Sequence, residues 1–223
     1  MIEIQHLNKW YGQHHALNDV CLTFPKGQLH GLMGENGAGK STLFNCILKF
    51  EKYDGDIHLP YGAKIGYLPD TLFFYPYVTG MEYIEFCMKA RNKSIPHERI
   101  ELLNAKFQLP LDRYAANYSM GMKKRLAILT LMIEDDDIII MDEPFNGLDL
   151  SATIILKQWL MSMRSTNKNI IISSHITSSL TEICDDIFYI HQGQVVEHYV
   201  DATSEMIERD ITKKYITSFS DIQ

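Results

Sequence analysis

The stretch Gly34-Glu35-Asn36-Gly37-Ala38-Gly39-Lys40-Ser41-Thr42 carries the spacing G-x-x-x-x-G-K-[ST] of a phosphate-binding P-loop. Glycines are needed there because the backbone must wrap a polyphosphate with its own N–H groups, through conformations that a Cβ would block. Lys40 can set a point charge between the outer phosphates, and the Ser41 hydroxyl can ligate Mg²⁺. The helix that must follow adds unpaired N–H donors and the positive end of its dipole. The chemistry implied is the binding of ATP or GTP with Mg²⁺.

About a hundred residues further on, the apolar run Ile138-Ile139-Ile140-Met141 ends in Asp142-Glu143. A β-branched run of this kind marks a strand buried on both faces. Phosphoryl transfer to water needs one carboxylate to hold Mg²⁺ through its water shell and another to orient or deprotonate the attacking water. Adjacent residues at a strand end point in different directions, so Asp142 and Glu143 can divide those tasks.

The elements that position these residues follow from pattern. The apolar run 29–33 leads into the P-loop as a strand, and Leu43, Phe44, Ile47 and Leu48 lead out as a helix. Strands are expected at 2–7 and 20–24, joined through Lys9-Trp10-Tyr11-Gly12, and at 64–68, closed by Pro69, while 53–56 reads as a turn. These make an antiparallel sheet that precedes and flanks the nucleotide loop. Thr79-Gly80-Met81-Glu82 matches a capping box that opens a helix, with further helices at about 96–107 and 120–133. Residues 79–134 are thus a helical insertion. Beyond it come a helix at 151–163, a buried strand at 170–172, a helix at 177–184, strands at 187–190 and 194–197, and a partly helical polar stretch from 201 onward. The fold class expected is α/β: a P-loop nucleotide-hydrolase core with a mostly parallel sheet, an antiparallel β-subdomain and a helical insertion.

With 223 residues, 46% of them hydrophobic, one substantial core is expected. The longest apolar run, 126–133, is interrupted by Thr130 and stopped by Glu134-Asp135-Asp136-Asp137, well short of the roughly 18 residues that span a bilayer. The start Met1-Ile2-Glu3-Ile4 lacks signal-peptide character, so a cytoplasmic location is expected. Cys21, Cys46, Cys87 and Cys184 are widely spaced and read mostly as buried free thiols, with no metal or disulfide role. A net charge of −7 argues against a nucleic-acid partner.

From end to end the chain resembles the ATP-binding subunit of an ATP-binding-cassette (ABC) transporter, of the exporter-like kind in which that subunit is a separate chain. Tyr118-Ser119-Met120-Gly121-Met122 looks like the family signature, Asn146-Gly147-Leu148-Asp149 like its dimer-contact loop, and Ser173-Ser174-His175 like its switch histidine. Tyr11 matches the aromatic that stacks on adenine. The resemblance implies two subunits, identical or different, packed head to tail. ATP on one P-loop would be covered by Ser119 and the Gly121 N–H of the other, with His175 at the γ-phosphate and Glu143 as catalytic base. It implies Asp70, Asp142 and Ser41 around Mg²⁺, membrane-spanning partner subunits, and a peripheral place on the inner face of the cell membrane. The chain departs from the pattern at Asp70, where the family has glutamine, and at Met120 and Met122, where it has glycine and glutamine. A cassette ATPase of translation or DNA-repair type is the alternative. Such proteins carry paired cassettes with a basic linker, coiled coils or zinc-binding cysteines, features this sequence does not display.

Overall fold

The structure, a computed structural model, describes residues 1–216. Two compact units divide the chain: Met1–Tyr61 with Ser165–Gln223, and Gly62–Arg164. None of the described helices is long and apolar enough to cross a membrane.

The first unit contains a three-stranded antiparallel sheet in which β1 (Ile2–Tyr11) lies between β2 (His14–Phe24) and β4 (Asp54–His58). Beside it, β3 (Leu29–Met33) pairs in parallel with β7 (Asn169–Ser174) and β8 (Asp186–His191), and β9 (Gln194–Val200) runs antiparallel to β8. All five residues of β3 and all six of β7 are buried, as strands covered on both faces must be. His30 tolerates its place in β3 because Nδ1 lies 2.6 Å from Asp186 Oδ1 and Nε2 lies 2.9 Å from the Pro25 carbonyl. Burial pushes the Asp186 carboxyl up, but hydrogen bonds from His30 and His198 outweigh it and hold the group below the usual carboxylate range. Helices α1 (Lys40–Ile47), α6 (Thr177–Thr181) and α7 (Ser204–Tyr215) complete this unit.

The second unit pairs β5 (Ile65–Leu68) in parallel with β6 (Ile138–Met141) and adds α2 (Gly80–Ala90), α3 (His97–Phe107), α4 (Met120–Glu134) and α5 (Leu150–Ser162). The capping box forms: Thr79 Oγ1 accepts from the Glu82 N–H, and the Glu82 carboxylate accepts from the Thr79 N–H, a device contributing about 1 kcal/mol. From Leu126 to Glu134, α4 is buried on every side. Its end is an ionic cluster in which Arg91 pairs with Glu134 and Asp136, each at 3.0 Å, and Lys93 pairs with Asp136 at 2.9 Å.

Several expectations are corrected. The segment 53–56 is no free turn, because Asp54 onward forms edge strand β4. β1 does not stop at Leu7; irregular register carries it through Lys9 and Trp10 to Tyr11, and β2 starts at His14. β5 belongs to the parallel pairing with β6, outside the antiparallel sheet. Cys21 is exposed, unlike buried Cys46 and half-buried Cys87 and Cys184. The polar C-terminal stretch is helical as α7, and the part of that expectation beyond residue 216 lies outside the described residues.

Candidate functional site

In the first unit β3 ends at Met33 and α1 begins at Lys40, so the P-loop is a strand-to-helix turn. Gly39 sits at φ 112°, and a Cβ there would lie 2.9 Å from the Ala16 carbonyl oxygen; a Cβ on Gly34 would lie 2.5 Å from that of Ile190. Only glycine fits either position. Gly37, at φ 86°, faces open space, as a loop that admits a ligand requires. The helix start has neither a side-chain cap nor an acidic residue in its first turn, so its dipole and N–H groups face the loop uncompensated. Lys40 is buried and its Nζ donates to the Gly34 carbonyl at 2.6 Å and the Glu35 carbonyl at 3.1 Å, which curls the side chain back over the loop. Glu35, Asn36, Gly37 and Ser41 are exposed, Gly39 and Thr42 half-buried, and Ala38 packs inward. These residues fit a Mg-nucleotide: the turn offers N–H groups and a lysine to phosphates and the Ser41 hydroxyl to a cation.

His175 follows directly on β7 and is exposed; the Ile176 N–H donates to Ser174 Oγ at 3.0 Å and turns the chain out of the strand. Gly34, Glu35, Asn36 and His175 line one cavity of about 490 Å³, with Tyr189 and α7 on its other wall. Tyr11, at the end of β1, is exposed. Burial and the Glu51 carboxylate push its hydroxyl up, against a hydrogen bond from Thr42, so the ring stands beside the P-loop helix.

The second unit assembles the carboxylates. Leu68 of β5 is level with Met141 of β6, and the Asp142 N–H donates to the Leu68 carbonyl at 2.8 Å. Asp70, exposed just beyond β5, and buried Asp142 both act on Tyr67, whose hydroxyl is pushed up to about 12 by burial first and then by these two charges. Glu143, buried, is held at φ 48°, a left-handed conformation uncommon for a side chain of its type.

Lys124, which the sequence offered only as part of a short basic cluster, belongs to this group. It is 3% exposed, and its Nζ donates to the Glu143 carbonyl at 3.0 Å. Burial pushes its ammonium down, and the charges of Asp70, Asp142 and Glu143 offset part of that. Its place in the helix was the available signal: 124 falls among the inward positions of α4 while 123 does not.

The signature forms the start of the same helix. Ser119 caps α4 by accepting from the Met122 N–H at 3.3 Å, and it is exposed. A Cβ on Gly121 would come within 2.9 Å of the Gly147 carbonyl oxygen, so the 146–149 loop packs against the helix start only because residue 121 is glycine. Met120 is 79% exposed.

A glycine-rich turn between a buried strand and a helix, with lysine at the first helical position, defines a P-loop nucleoside triphosphatase. The comparisons narrow the class. A family model described as ABC transporter matches residues 17–146. The bacitracin transport ATP-binding protein BcrA of Enterococcus faecalis is 32% identical over 213 residues, covering 88% of this chain and 68% of that protein. A solved ATP-binding subunit of an ABC transporter matches with a TM-score of 0.84 and 25% identity over 100% of this chain and 97% of its own. The dimeric bacterial ABC transporter cassette MJ0796 matches with a TM-score of 0.80 and 22% identity over 91% of this chain and 100% of its own. The chain belongs to the ABC transporter family as an ATP-binding subunit, and it is an ATPase.

Proposed function

We propose that this ATPase dimerises around ATP and drives transport through separate membrane-spanning subunits, at the inner face of the membrane. One observation carries the transport half of the reading. Phe73, Tyr75, Val78, Glu82, Tyr83 and Phe86 line an apolar groove of about 530 Å³ on the second unit, with Phe73 72%, Tyr75 65% and Phe86 64% exposed. Rings left in water over such an area mark a docking face. The occupant proposed is a short helix of a membrane-spanning subunit, seated by its apolar face between Glu82, Glu85 and Lys89. Phe74 points the other way, 7% exposed and 4.8 Å from the Tyr83 ring, so one aromatic cluster divides between core and groove.

In the ATPase half, the P-loop residues 34–42 hold the phosphates, Tyr11 stacks on the base, and Ser41, Asp142 and Asp70 serve the cation, Asp70 through a water. Mg²⁺, when bound, neutralises charge that develops on the phosphates. Glu143 accepts the proton of the attacking water, and His175 senses the γ-phosphate from the wall it shares with the P-loop. Exposed Ser119 and the Gly121 N–H at the start of α4 cover the nucleotide of a partner subunit, and residues 79–134 form the helical subdomain that delivers them.

Phe73→Glu tests the groove. The variant is expected to leave detergent-solubilised membranes without its membrane-spanning partners while binding ATP as the parent does. Co-purification unchanged by the substitution would remove the docking face, and with it the transport reading.

A further inference from the structure

The antiparallel sheet of the first unit holds a second, unrelated constellation. Its register carries two complementary irregularities: Ile4 faces Leu22 and Leu7 faces Val20, so two residues of β1 oppose Cys21 alone, and then Lys9 faces Leu17, so Asn18 and Asp19 of β2 oppose Asn8 alone. Each extra residue relaxes into the left-handed region, His6 at φ 51° and Asp19 at φ 51°. The two bulges turn both side chains to the surface that already carries Cys21. His6 Nδ1 then lies 2.7 Å from Asp19 Oδ1 and 3.9 Å from Cys21 Sγ, and one ligand atom of each residue falls within 4.8 Å of the other two. All three are exposed.

We propose that His6, Asp19 and Cys21 bind a borderline divalent metal ion, Zn²⁺ first, with water completing a tetrahedron. The donor set is one imidazole nitrogen, one carboxylate oxygen and one sulfur, the mixture that selects zinc over magnesium or calcium. Bonds of about 2.0–2.3 Å open the Nδ1–Oδ1 edge to about 3.3 Å and close the Nδ1–Sγ edge slightly, movements that small side-chain rotations supply. The surroundings hold the ligands ready. The His6 N–H donates to Cys21 Sγ at 3.3 Å, which fixes the sulfur beside the imidazole. Asn8 spans the site from behind, donating from Nδ2 to the His6 carbonyl at 2.9 Å and accepting at Oδ1 from the Asp19 N–H at 3.0 Å. A bare His–Asp ion pair explains neither two matched bulges nor the cysteine between them. The ion would clasp the central strand of the sheet to its edge, a role separate from the nucleotide site.

The test uses the full chain without an affinity tag, stripped by chelator and free of nucleotide. Zn²⁺ titration is expected to give one equivalent per chain and a rise in Tm. Co²⁺ loading is expected to show the thiolate-to-metal charge-transfer absorption of a sulfur ligand in tetrahedral geometry. Cys21→Ser should abolish that band, and Cys21→Ser and His6→Asn should each weaken Zn²⁺ binding at least about tenfold. Asparagine is chosen at position 6 because it accepts φ > 0 and so preserves the bulge. Mg-ATP affinity should stay at the parental value in both, which shows that the variants are folded. Zinc uptake that survives Cys21→Ser, a cobalt spectrum with no sulfur band, or no uptake at all would each overturn the assignment.

Discussion

Glu143, the proposed catalytic base, has its backbone at φ 48°, and the Lys124 ammonium donates to the carbonyl of that same residue. Lys124→Met removes the charged donor and leaves that carbonyl with the longer bond from the Asn146 N–H at 3.3 Å. The expected result is a ten- to hundredfold fall in kcat with KM for ATP nearly unchanged, because the P-loop is untouched, and Lys124→Arg should recover part of the loss; steady-state ATPase assays read both. Lys40→Ala should instead abolish or sharply weaken Mg-ATP binding in calorimetry, since it removes the one lysine curled over the phosphate turn. The contrast explains what was legible at this scale. Lys40 stands in a fixed spacing whose chemistry is local, so the sequence shows it. Lys124 gains its meaning from a contact 19 positions away, and nothing in Lys123-Lys124-Arg125 singles it out until the helix is given a buried face.

Among the elements, α4 ends in a cluster that makes stability respond to pH. Burial pushes the Glu134 carboxyl up to about 7, against the pull of Arg91 at 3.0 Å and of Lys93. The folded state therefore holds the proton more tightly than the unfolded chain, whose glutamate titrates near 4.5. Stability from this group is complete below that value and is lost as pH rises through about 7, by at most about 3 kcal/mol. Denaturant melts at pH 5 and pH 8 should show the parent losing more stability than Glu134→Gln. Elements with local signals were readable: the capping box of α2 formed at Thr79 and Glu82, and the wholly apolar run at 138–141 became β6. β4 was hidden because Asp54, Gly55 and Asp56 carry turn chemistry. Gly55 is in fact required by close approach, since a Cβ there would lie 2.3 Å from the His6 carbonyl oxygen. The full length of β1 was hidden by its bulges, which break the alternation that a period-two reading follows.

At the level of the whole molecule, the proposed head-to-tail pair of cassettes would bury two nucleotides. Glu143→Gln keeps the side-chain shape and removes the base, so it should bind ATP, fail to turn it over, and sediment as a dimer at saturating Mg-ATP. A variant that remains monomeric there would contradict the sandwich. The motifs that such a pair would need stand in order in the sequence, and the helix at about 120–133 was readable there as well, while the contact from Lys124 to the Glu143 carbonyl was not. Ser119 and Lys124 lie about 1.4 turns apart on α4. In the proposed pair, one end of that short lever would rest on the neighbour's nucleotide, while the other holds the carbonyl of the lever's own Glu143. Loss of the γ-phosphate from one pocket of the proposed pair would then tilt the carboxylate that serves the second. The two pockets should fire by turns, and ATP dependence should be sigmoidal in the parent and flatten toward a hyperbola once position 124 no longer carries the stroke.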